Sequence, residues 1–134
     1  MDDPTMRRRL AEARVGHLAT VTATGGPHVV PCCFALAGDT ILSAVDTKPK
    51  STFDLRRLAN LRVHPRASLL VDHYDEDWST LWWVRADGTG RVLESGPERE
   101  RALDVLAVKY VQYAHERPPG AVVAVEVTGW RSWP

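Results

Sequence analysis

The sequence predicts a mainly β chain of the α+β class, folded as a mostly antiparallel barrel with helices at its openings. Three observations lead there. Strand patterns outnumber helix patterns, no strand–helix–strand alternation runs through the chain, and the first three strands follow one another through tight turns too short for a parallel crossover. The 134 residues suit one domain spanning 1–134, and a hydrophobic fraction of 44% is enough for one real core.

The elements follow in order. Asp3-Pro4 starts a short helix reaching Arg14, with proline in the first turn, Leu10 and Ala13 on one side, and Gly16 as its stop. His17–Thr22 alternates apolar and small polar residues and reads as a strand. Thr24-Gly25-Gly26-Pro27 turns the chain into a second strand, His28–Leu36, in which Pro31 demands an unpaired edge or a bulge. Gly38-Asp39 leads to a third strand, Thr40–Val45. Thr52–Val63 then shows helical spacing of Phe53, Leu55, Leu58 and Leu61, and His64-Pro65 stops it. Ala67–Tyr74 is a strand. Leu81–Leu93 is strand-like on both sides of Asp87-Gly88-Thr89-Gly90, either a hairpin or one strand kinked at glycine. Pro97–Ala114 is an amphipathic helix with Leu103, Leu106, Ala107 and Tyr110 in one stripe, and Ala121–Val127 is a final strand.

Composition narrows the function. Seventeen basic and seventeen acidic residues give a formal net charge of +0, which offers no support for nucleic-acid or membrane-surface binding. No apolar run approaches the ~20 residues that span a bilayer. The acidic start Met1-Asp2-Asp3-Pro4 has no apolar stretch after it, so no signal peptide is read there and a cytoplasmic location is expected. Cys32 and Cys33 are adjacent, point to opposite faces of a strand, and lack any zinc spacing; they read as small apolar residues in a reducing compartment. The five histidines form no i, i+4 pair, and no nucleophile elbow or dinucleotide fingerprint is present. His28 sits in a strand, where packing is its common fate, though it could touch a bound ring.

The most informative stretch is Thr47 to Arg57. It holds Lys48 and Lys50, two of the chain's three lysines, and runs from a strand end into a helix start. Ser51 suits the N-cap, with Asp54 completing a capping box. Free N–H groups at a helix start favour an anion, Arg56 and Arg57 lie one turn inside, and a guanidinium fork matches phosphate oxygens. The alternative is a solvated basic helix face, and Asp54 competes for the same donors. A second feature is aromatic density: Trp78, Trp82 and Trp83 fall within six positions. They suit a core, a subunit contact or a stacking surface for a flat ring. Trp130 and Trp133 near the C-terminus need covering, which points to a subunit contact.

Several segments together carry a family resemblance: His17-Leu18-Ala19-Thr20-Val21 with Gly26-Pro27-His28-Val29-Val30-Pro31; Lys48-Pro49-Lys50-Ser51; Arg56-Arg57-Leu58-Ala59-Asn60-Leu61 leading to His64-Pro65-Arg66-Ala67; Asp72-His73-Tyr74-Asp75-Glu76-Asp77-Trp78; and Leu81-Trp82-Trp83-Val84-Arg85. In this order they resemble the pyridoxamine-phosphate-oxidase-like split-barrel proteins that use flavin or deazaflavin, and more narrowly the actinobacterial branch assigned to the deazaflavin coenzyme F420. The resemblance implies a six-stranded split β-barrel, a homodimer with two cofactor sites between subunits, and one long kinked strand over Leu81–Leu93. It implies that Arg56 and Arg57, with Lys48, Lys50 and Ser51 nearby, hold the cofactor's phosphate. Relatives often have lysine where Arg57 stands, a change that keeps the charge and alters reach. It also implies that Val29, Val30, Pro31 and Cys32 lie along the ring and that Trp82 is near the partner's site. The expected function is hydride transfer between F420 and a small unknown substrate. The alternatives are flavin mononucleotide (FMN) in the same fold, or a non-enzymatic module for a cofactor or haem.

Overall fold

The computed structural model describes residues 1–45 and 52–134, the side chains of 52–55 apart. Helix α1 (Asp3–Glu12) starts where Asp2 accepts the Thr5 N–H at 2.9 Å, and it buries Leu10 completely. Gly16 does not stop this helix but opens strand β1 (Gly16–Val21), because a Cβ there would lie 2.9 Å from Leu69 and 3.1 Å from Phe34. A tight turn with Gly25 at φ 88° leads to β2 (Pro27–Cys32). The chain breaks at Cys33-Phe34 and resumes as β3 (Ala35–Ala37), followed by β4 (Thr40–Ala44).

Helix α2 (Thr52–Val63), β5 (Arg66–His73), a 3₁₀ turn at Trp78–Thr80 and β6 (Trp82–Leu93) follow. Helix α3 (Pro97–Lys109), the short α4 (Val111–His115) and β7 (Val122–Trp133) complete the chain. The sheet is antiparallel throughout, with order β2-β1-β5-β6-β7-β4-β3. Its two ends, β2 and β3, are consecutive in sequence and not paired, so the barrel is split there. The sheet has seven strands, not six, because the strand expected over His28–Leu36 is cut in two where Phe34 turns inward and is fully buried. Pro31 lies on β2, an edge strand, as its missing donor requires. The long kinked strand is present as β6, with a register shift at Asp87/Gly88. Gly88 is obligatory there, since a Cβ would lie 2.0 Å from the Glu126 carbonyl oxygen.

Two cores result. The barrel interior holds Leu18, Phe34, Ile41, Leu69, Val84, Val123 and Val125, closed by α1 and α2. A second core lies where α3 covers the far side of β3, β4 and β7, through Leu103, Leu106 and Tyr110. Val122 to Val125 are therefore all buried, two facing each core. The helix expected over Pro97–Ala114 is interrupted at Tyr110, which is extended (φ −118°, ψ 115°) and sends its phenol to the β2–β3 break. Strand β7 runs six residues beyond the Val127 expected, pairing with the first half of β6. Among the described residues no helix is long and apolar enough to cross a membrane.

Candidate functional site

Alternation along β2 sorts the predicted ring-lining residues. Val29 is 60% exposed and Pro31 is also exposed, both on the outer face, while Val30 is half-buried and Cys32 buried on the inner face. The inner residues pair across the ladder with Leu18 and Gly16 of β1, so they belong to the barrel lining. Of the predicted phosphate-holding residues, Arg56 is exposed on α2 and Arg57 is buried, 6% exposed. Lys48, Lys50 and Ser51 lie outside the described residues, as do the side chain of Asp54 and hence the capping box.

Arg57 and Cys32 are brought together. Burial pushes the Cys32 thiol up, and a hydrogen bond with Ser43 and the positive charge of Arg57 offset part of that. Helix α2 itself packs against β6 and β1, and it is the charge of Arg57 that extends toward β2. The raised thiol is a poor nucleophile, which fits its reading as a small apolar side chain. Both cysteines are free.

Trp82 lies on β6, three strands across the sheet from Cys32 on β2. It stands at the last pair of the β5–β6 ladder, opposite His73, whose ring stacks on it at 6.0 Å and 17°. The Arg9 guanidinium of α1 also lies over the Trp82 ring at 4.9 Å. Trp130 is engaged in the same way by Arg7, at 5.0 Å.

Several residues of this region carry weak sequence signals. Asn60, 5% exposed, donates to Thr20 Oγ1 at 3.1 Å and fastens α2 to β1. An asparagine within an apolar helix face is the trace it leaves in the sequence. His28 pairs with Thr20 across the ladder, and its Nδ1 is buried without a hydrogen-bond partner among the described residues. A buried, unmatched imidazole nitrogen is costly unless something meets it. Its ladder partner Thr20 is the residue that Asn60 of α2 also reaches.

Among the described residues the outer face of β2, β1, β5 and β6 is bare, whereas α3 covers the face of β3, β4 and β7. The bare face carries Val29, Pro31, His17 and Leu70 in one cross-strand row or its neighbour. Further along lies a polar network: Ser68 Oγ donates to Asp87 Oδ1 at 2.6 Å, and Arg85 donates to both Asp87 oxygens at 2.9 and 3.2 Å. Burial alone would raise the Asp87 carboxyl, but the bonds from Ser68 and Arg85 outweigh it and hold the group below its usual range. A groove of about 530 Å³ opens beside this network, lined by residues of β1, β5 and β6 that include Ala19, Arg66, Ser68 and Gly88.

An antiparallel barrel split between consecutive strands, closed by α1 and α2, with α3 over one half of its outer face, is a split β-barrel. The chain belongs to the pyridoxamine 5'-phosphate oxidase family, whose model matches residues 2–134. Among solved structures it is similar to the conserved hypothetical protein Rv2991 from Mycobacterium tuberculosis, with TM-score 0.80 and 22% identity over 99% of this chain and 84% of that one. It is similar to a FAD binding protein from Mycobacterium smegmatis, with TM-score 0.65 and 16% identity over 99% and 96% of the two chains. It is also similar to a heme binding protein from Mycobacterium smegmatis, with TM-score 0.75 and 21% identity over 96% of this chain and 52% of that one. No curated protein matches the chain.

Proposed function

We propose that this protein is an F420-dependent oxidoreductase that works as a homodimer, transferring a hydride between the deazaflavin and a small substrate. The observation that carries the reading is that α2 buries Arg57 where its positive charge acts on the Cys32 thiol of β2, while His28 at the other end of that strand keeps a buried Nδ1 unmatched among the described residues. Bound F420 supplies a ring that carries the hydride. The chain's own residues bind and orient it. Arg56 and Arg57, with Lys48, Lys50 and Ser51, hold the anionic tail, and Val29 to Cys32 present a backbone edge to the ring. Trp82 serves the site of the second subunit. The exposed apolar row on the bare face is covered by the second copy, which keeps water from the ring.

FMN in the same cleft is the nearest alternative, supported by the family and by the FAD binding structural neighbour. Carriage of haem or another planar ligand without turnover is a second reading. It is favoured by His17, an exposed imidazole between Pro31 and Leu70 on the bare face. The optical spectrum of the purified protein, mixed in turn with F420, FMN and haem, separates the three. Saturable F420 binding supports the proposal. Preferential FMN binding, or a haem Soret band that His17→Ala abolishes, overturns it.

A further inference from the structure

Lys109 and Arg14 meet with no acid between them. Lys109 is the last residue of α3, and its half-buried side chain reaches the link between α1 and β1, where the ammonium donates to the Ala13 carbonyl at 2.7 Å. Its other neighbours are ring faces: Nζ lies 4.1 Å from the centre of the Phe34 ring and 5.3 Å from that of Tyr110. Arg14 stands beside it, with its guanidinium over the Tyr110 ring at 4.7 Å and Nη2 donating to the Lys109 carbonyl at 2.9 Å. Neither cation is in a salt bridge among the described residues.

Such surroundings weaken the hold on a proton. A ring face is a weaker partner for a cation than a carboxylate, and two cations side by side repel. Burial and the Arg14 charge push the ammonium down to about 8, with Cys33 and Cys32 pulling the other way. At pH 7 about one Lys109 in ten is then a neutral amine, against about one in three thousand for an ordinary lysine. A desolvated lysine next to another cation is the form in which an amine becomes a nucleophile near neutral pH. The place is also open. Arg14 is exposed, and the flanking Val15, Val108 and Val111 are exposed by 52%, 91% and 61%, so a small molecule has access.

We propose that Lys109 is a site of covalent acylation, taking acyl groups from donors of the acyl phosphate class, whose anionic leaving group Arg14 meets. The amine nitrogen attacks the acyl carbon and a C–N bond forms. The C–O bond to phosphate breaks, phosphate leaves with the electron pair, and the nitrogen gives a proton to water. The product suits the site: its amide N–H still serves the Ala13 carbonyl, and the repulsion with Arg14 is gone. Acylation also removes a positive charge over Phe34, at the break between β2 and β3 where the barrel is split. It does not depend on which cofactor the barrel holds.

Acetyl phosphate is the probe, and the chain supplies its own controls, since Lys48 and Lys50 are the other two lysines. In the native protein at about pH 7.5, peptide mass mapping should show Lys109 acetylated about tenfold or more faster than either, with the Met1 amine read separately. In concentrated urea the preference should vanish. At about pH 10 the Lys109 amine is largely neutral with or without Arg14, so only the anchoring of the anion remains to be read. There Arg14→Gln should slow acetyl phosphate about threefold or more and leave labelling by the uncharged ester p-nitrophenyl acetate within about twofold. Circular dichroism checks that the variant is folded. Equal labelling of the three lysines in the native protein, or a preference that persists in urea, overturns the site. An Arg14→Gln variant that slows both donors alike, or neither, overturns the class of donor.

Discussion

Tyr110 joins three chain segments at one oxygen. Its hydroxyl accepts the Phe34 N–H at 3.0 Å and lies 2.9 Å from the carbonyl oxygens of Phe34 and Arg14, at the start of β1 and the β2–β3 break. Tyr110→Phe keeps the ring and leaves a buried N–H unmatched, so it should cost about 1–3 kcal/mol in urea unfolding. Beside it, Lys109 donates to the Ala13 carbonyl at 2.7 Å and lies over the Phe34 ring at 4.1 Å. Burial first, and the nearby Arg14 charge second, push the Lys109 ammonium down from 10.5 to about 8. Between these values the unfolded chain holds more protons than the folded one, so this group makes stability rise with pH from about 8 to 10.5. Cys32 and Tyr110, both raised by burial, act in the opposite direction at alkaline pH. The Lys109 contribution is therefore isolated as a difference: the stability of the native protein relative to Lys109→Met should grow across that window. A difference flat in pH would contradict the account. None of this knot was legible in the sequence, where Tyr110 reads as one more apolar stripe position. A phenol that breaks its own helix to reach a distant backbone is a tertiary choice, and no local pattern records it.

Elements were legible to the extent that local chemistry fixes them. The glycine turn, the helix ended by His64-Pro65 and the edge strand marked by Pro31 all depend on neighbours in sequence, and they stand where expected. The misreadings have long-range causes. Gly16 looked like a helix stop, yet it is a close-approach glycine beneath Leu69 and Phe34. Val122–Val125 is apolar without alternation because a different core lies on each side. The continuation of β7 past Val127 depends on β6 offering it a partner. The kink of β6 makes a graded prediction. Gly88→Ala forces a Cβ against the Glu126 backbone oxygen, which has no free rotamer to retreat to, and should cost about 3 kcal/mol or more. Gly16→Ala meets the end of the Leu69 side chain instead and should cost less. Thermal unfolding of the two variants checks the order.

At the scale of the whole molecule, α3 covers one half of the sheet and, among the described residues, leaves the other half uncovered, the half that the proposed homodimer buries. The sequence offered the expected anion-holding helix start and the strand expected to carry a ring as separate signals: a lysine–arginine stretch and a proline-marked strand. It did not show that α2 crosses the barrel so that Arg57 turns inward beside Cys32 while Arg56 stays outside. That division separates the two arginines, one buried and one exposed. The measurement that tests the central claim most directly is a fluorescence titration of the native protein and of Arg57→Ala with F420. Saturable binding, weakened in the variant by about 1.5–3 kcal/mol while its unfolding transition remains cooperative, is the predicted result. No saturable binding to the native protein, or undiminished binding to a folded Arg57→Ala, would contradict it.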